Sequence, residues 1–90
     1  MNNIDKKFFQ TFLTLENDKE VRAFLLDLLT EQEVLELSKR FQAARMLSEG
    51  NSYIEIEKDT GLSSTTIARV SKSLNSEEGG YRMILARVKK

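Results

Sequence analysis

The stretch TGLSSTTIARVSKSLN, residues 60 to 75, sets a glycine and five small hydroxyl residues ahead of a run in which apolar and basic positions alternate. It reads either as a surface helix with a polar start or as a helix whose first turn enters a groove lined with phosphates. Its local signals favour a defined helix: Ser63 is a capping residue, Leu62 and Ile67 can form the hydrophobic staple around it, and the helix is expected over roughly 64 to 74. Just upstream, Ser52 followed by Glu55 is a capping box that opens a helix of about seven residues ending at Gly61. Two short helices joined by a glycine turn have the layout of a helix-turn-helix.

That motif needs apolar residues on both helices meeting at a steep angle, and a turn residue that accepts a left-handed backbone. Ile56, Gly61, Leu62, Ile67 and Val70 meet those needs. With Ile67 and Val70 turned inward, Ser63, Ser64, Thr65, Ala68, Arg69 and Lys72 fall on or beside the outer face. Small side chains there allow close approach to base edges, and the N-terminal end of a helix favours phosphate. Ser64, Thr65 and Ala68 are therefore expected nearest the bases, and Ser52, Tyr53, Lys58, Arg69 and Lys72 near phosphates. Glu55, Glu57 and Asp59 run the other way, because a surface facing phosphates prefers bases. They keep open a rival reading, a protein-binding adaptor that uses the same helices to dock a basic partner.

Outward from this motif the chain is helical. It has no proline and four glycines, and its apolar residues recur at helical spacing. Ile4, Phe8, Phe9, Phe12 and Leu15 define a stripe on a helix near 3 to 15, and Val21, Phe24, Leu25, Leu28 and Leu29 another near 18 to 29. Thr30 with Glu33 is a further capping box, so a third helix starts near 31 and runs through Phe41 and Leu47 to a left-handed cap at Gly50. After NSEEGG, a last helix from about Tyr81 to Val88 sets Tyr81, Ile84, Leu85 and Val88 on one face. The expected fold is all-α, six helices in a single domain over residues 1 to 90. Residues 1 to 50 hold the N-terminal and central helices, 52 to 75 the helix-turn-helix and 81 to 90 the C-terminal helix.

Composition removes several classes of function. With no cysteine and no histidine, disulfides, thiolate metal sites and the commonest general base are all missing. Carboxylate pairs such as Glu31 with Glu33, or Glu77 with Glu78, sit at helix starts where acids stabilise the dipole, so no enzyme is expected. No signal-peptide core is present and no apolar run approaches the roughly 18 residues of a membrane span. A soluble, cytoplasmic protein with no membrane partner is expected. Net charge is zero but uneven: residues 1 to 38 carry eight acids and four bases, and residues 39 to 90 carry six acids and ten bases. The half that contains the turn motif is the one that attracts polyanions.

The motifs LTEQE leading into a helix with KR and ARML, then YIEIEKDTG, then STTIARV into LN, resemble the core of the tryptophan repressor family over residues 28 to 75. Nearly the whole chain is similar to the small Trp-repressor-related proteins of the YerC/YecD type. The resemblance implies six helices in an intertwined homodimer that binds double-stranded operator DNA as a bacterial transcriptional regulator, most simply a repressor. It also implies a small-molecule site. Arg40 and Arg69 match the two arginines that hold tryptophan in that repressor, and Thr30, Thr66 and Ser73 match its hydroxyl positions. Val70 stands where the repressor has a glycine, and its β-branched side chain takes the space of an indole. Tryptophan is therefore not the expected corepressor, no cofactor is assigned, and the identity of any other effector stays open.

Overall fold

A computed structural model of the chain describes residues 3–88. Among them there are only helices: α1 (Asn3–Thr11) with a 3-10 turn (Phe12–Thr14), α2 (Asp18–Leu28), α3 (Glu31–Ser48), α4 (Tyr53–Thr60), α5 (Ser64–Leu74) and α6 (Gly80–Val88). The all-α expectation holds, and five of the six helices fall within two residues of their expected limits. Lys89 and Lys90, which the sequence reading added to the last helix, lie outside the described residues. So do Met1 and Asn2.

The first helix is the correction. A single helix to residue 15 was expected, but the α-helical ladder ends at Thr11 and continues as a tighter turn. The hydroxyls explain it. Thr11 Oγ1 donates to the Phe8 carbonyl at 2.6 Å and Thr14 Oγ1 to the Thr11 carbonyl at 2.7 Å. Both bonds compete with the regular ladder, and the Leu15 N–H then donates to the Phe12 carbonyl, three residues back, at 3.3 Å.

Contacts divide the chain into two compact units, Met1–Val34 and Leu35–Lys90. In the first, Phe24 of α2 meets Phe8 and Phe12, with ring centroids 6.4 and 5.4 Å apart, and Phe8 meets Phe12 edge-on at 5.3 Å. Asn17 caps α2 by accepting from the Glu20 N–H at 2.9 Å. Yet none of residues 3–34 is buried. In the second unit, Ala43 and Ala44 of α3, Ile56 of α4, Leu62 of the turn, Ile67 and Val70 of α5 and Leu85 of α6 form the buried core. Phe41, Met46, Leu47, Leu74 and Tyr81 pack around it. The two alanines matter because small side chains let other elements approach α3 closely.

The C-terminus of α3 closes as a Schellman motif: Asn51 N–H donates to the Met46 carbonyl at 3.0 Å and Gly50 N–H to the Leu47 carbonyl at 3.1 Å, with Gly50 at φ +90°. That cap turns the chain into α4. At the far end, Arg82 donates to the Leu74 carbonyl at 2.7 Å and so ties α6 to the last turn of α5.

Candidate nucleic-acid interface

Helix α4 starts where the capping box places it. Ser52 accepts from the Glu55 N–H at 3.2 Å, and the Glu55 carboxylate accepts from the Ser52 N–H at 2.7 Å. The Ser52 N–H, then the Ser52 hydroxyl, hold the Glu55 carboxyl below its ordinary value; a small loss of hydration acts the other way, and Asn51 adds to the lowering. The helix ends at Gly61, left-handed at φ 75° and ψ 4°, whose N–H donates to the Glu57 carbonyl at 2.8 Å.

Beside Gly61 lies a residue that sequence reasoning missed. Thr60 is buried, and its hydroxyl donates to the Ile56 carbonyl at 2.7 Å while accepting from the Leu62 N–H at 3.1 Å. One side chain thus ties the last turn of α4 to the first residue after the glycine. The only clue in the sequence was a threonine directly before a turn glycine, where a hydroxyl can close a local bond.

Ser63 then caps α5, accepting from the Thr66 N–H at 3.2 Å and donating to Thr66 Oγ1 at 3.1 Å. Ile67 and Val70 are buried, with 0% and 3% of their surface exposed. Ser64, Thr65, Ala68, Arg69 and Lys72 are all exposed. So are Ser52 and Tyr53 at the head of α4, Lys58 in its last turn, and Ser63. Ser52 and Ser63 differ from the others because their hydroxyls are already engaged in caps. Helix α5 carries two bases and no acid.

The acids of α4 are largely engaged within the chain. Glu55 is half of the capping box, Asp59 accepts from Gln42 of α3 at 3.1 Å, and Glu57 is partly buried. Gln42 is itself held by the Arg45 guanidinium, which donates to its carbonyl oxygen. Glu55 and Asp59 nevertheless stay exposed and none of the three is paired with a cation among the described residues, so α4 keeps an acidic surface beside the basic α5.

Of the residues expected to meet a small molecule, Arg40, Thr66, Arg69 and Ser73 line one cavity of about 380 Å³, together with Val70, Lys72 and Tyr81. Sequence reasoning had put Tyr81 on the apolar face of α6 and Lys72 toward DNA; both side chains also line this cavity. Thr30 belongs to the other unit, where it forms the capping box of α3: its hydroxyl accepts from the Glu33 N–H at 3.1 Å, and Glu33 accepts from the Thr30 N–H at 2.9 Å. Among the described residues no group of His, Cys, Asp or Glu could hold a metal ion, and no helix is long and apolar enough to cross a membrane.

Residues 4–89 match the family described as Trp repressor protein. The chain is 43% identical over 83 residues to the uncharacterised protein YerC of Bacillus subtilis (strain 168), covering 92% of this chain and 80% of YerC. Among solved structures, a TrpR-like protein from Eubacterium eligens matches with a TM-score of 0.90 and 38% identity, covering 96% of this chain and 89% of its own. A candidate Trp repressor from Staphylococcus aureus matches with a TM-score of 0.90 and 40% identity, covering 97% and 87%. With both its sequence and its helix-turn-helix accounted for in this way, the chain belongs to the Trp repressor family, as a YerC-type member of a non-enzymatic group of regulators.

Proposed function

We propose that this protein is a sequence-specific reader of double-stranded DNA that acts in the cytoplasm as a homodimer and regulates transcription, as a repressor that occludes its operator. One observation carries the reading. Helix α5 buries Ile67 and Val70 against the core and leaves Ser64, Thr65, Ala68, Arg69 and Lys72 exposed, with its first turn free of bulky side chains and its charge wholly positive. A helix entering the major groove needs that combination: small residues where bases are read, and bases along the flank that meets phosphate. Ser52, Tyr53 and Lys58 at exposed positions of α4 and its cap extend the phosphate-facing surface.

Homodimerisation is supported by what one chain leaves uncovered. None of residues 3–34 is buried, and Ile4 and Leu13 are 78% and 84% exposed. Chains of this size already bury only about 60% of their unfolded surface, so a second copy is the economical cover for those apolar side chains. Two-fold symmetry then sets two recognition helices about one turn of DNA apart, roughly 34 Å, and the operator should be a near palindrome.

Changing Arg69 and Lys72 to alanine together tests the interface. Each neutralised phosphate contributes about 0.9 to the slope of log affinity against log salt, so the double variant should bind duplex more weakly and with a slope smaller by about 2. An unchanged affinity and slope would remove these residues from the interface and revive the adaptor reading.

A further inference from the structure

The last carbonyls of an α-helix have no N–H within the helix to meet them. At the end of α5, two are met from the segment that follows. The Ser71 carbonyl accepts from the Asn75 N–H at 3.2 Å and from Asn75 Nδ2 at 2.9 Å, and the Ser73 carbonyl from the Ser76 N–H at 3.1 Å and its hydroxyl at 2.7 Å. The Leu74 carbonyl is met differently: Arg82 Nη1 donates to it at 2.7 Å, from eight residues on and from another helix. The first two caps are local and form on any helix end with that sequence; the third forms only where α6 lies against α5. It also sets a cation against the negative end of the α5 dipole. Gly79 keeps the space for it open, since a β-carbon there would stand 3.2 Å from Arg82 Nη2 and push the guanidinium aside. The turn held in this way is the one that carries Lys72. Buried Ile67 and Val70 anchor the preceding turns, whereas Leu74 is only half-buried, so the last turn has less core beneath it.

We propose that Arg82 is a positioning residue for DNA reading: by capping Leu74 from α6 it keeps the last turn of α5 wound, and Lys72 thereby stands in register with Arg69 along the flank that meets phosphate. The role rests on the DNA-reading function proposed above. Arg82 acts through α5 and adds no phosphate contact of its own. Its loss therefore weakens duplex binding without changing the dependence on salt, unlike the loss of Arg69 or Lys72.

The test compares the full native chain with Arg82→Met, which keeps the stem and removes every donor, and Arg82→Lys, which keeps a cation and a donor. Arg82 is exposed, so both variants should fold. All measurements are made well below the unfolding transition of each. In Arg82→Met the amides of Ser73, Leu74, Asn75 and Ser76 should exchange with solvent about tenfold faster, the ratio expected when one charge-assisted hydrogen bond is lost, while amides of α3 and α4 keep their rates. Duplex affinity should fall by about three- to tenfold, because the last turn of each recognition helix must be rewound before it binds. The slope of log affinity against log salt should stay that of the native chain, and Arg82→Lys should recover part of both losses. A slope smaller by about 0.9 per chain would make Arg82 a phosphate contact and overturn the positioning role. Faster exchange with native affinity would leave Arg82 a cap without consequence for DNA, and faster exchange throughout the chain would make its role one of general stability; either overturns the proposal while the DNA-reading function stands. A native chain that binds no duplex refutes that function itself, whatever the exchange rates show.

Discussion

Thr60 does with one hydroxyl what the turn requires twice, donating to the Ile56 carbonyl and accepting from the Leu62 N–H. Thr60→Val keeps the shape and removes both bonds, leaving a buried N–H unpaired, so it should cost about 1–3 kcal/mol in urea unfolding. A change below a few tenths would show that water replaces the hydroxyl. Glu55 gives the second test at this scale. Its carboxyl is held below its ordinary value in the folded chain, so its contribution is complete above the unfolded value and is lost as pH falls through the folded one. Glu55→Gln keeps an acceptor for the Ser52 N–H but does not titrate. The native chain should therefore lose its advantage over this variant on acidification; a constant difference in unfolding midpoint would show that the cap does not depend on the charge. Ser52, Glu55 and Ser63 were legible in the sequence because a capping bond spans a fixed three residues. Thr60 was not, since its only mark is a place directly before Gly61, which does not tell a buried hydroxyl from an exposed one.

The elements were read best where two signals agreed. Helix α5 has a capping serine, an apolar stripe and a preceding glycine, and its limits came out as expected. In α1 the stripe continued past the helix, and the Thr11 and Thr14 hydroxyls, which periodicity ignores, ended the ladder early. The pairing of α4 with α5 depends on Ile67, fully buried in the shared core. Ile67→Ala should cost about 2–5 kcal/mol, the usual range for an aliphatic side chain cut back in a core. It should also abolish duplex binding at temperatures where the variant unfolds, while far-UV dichroism at low temperature stays helical. Gly61→Ala acts on the turn alone: at φ +75° an alanine is strained by about 1–2 kcal/mol, although no atom obstructs its methyl group. A variant as stable as the native chain would mean that the turn relaxes to another backbone conformation.

For the whole molecule, the division of labour follows from where apolar surface is covered. The core of the second unit positions α5, and the exposed apolar residues of the first are those that the proposed homodimer would cover. Phe9, 53% exposed on α1, gives a direct probe. Phe9→Asp should shift sedimentation at micromolar concentration from dimer toward monomer and weaken duplex binding with it; a dimer that persists would move the interface elsewhere. The turn motif was legible through local spacing, and the family through the resemblance of its motifs. The sequence placed Arg40, Arg69, Thr66 and Ser73 near a ligand only through resemblance, because their meeting depends on how α3 and α5 pack, and it gave no sign that Lys72 and Tyr81 complete the same cavity. The most direct measurement is selection of bound duplexes from a random pool by the purified protein at near-physiological salt, with no added small molecule. The account predicts enrichment of a palindrome whose half-sites are about one helical turn apart. A pool that stays random, or an enriched site without two-fold symmetry, would contradict it.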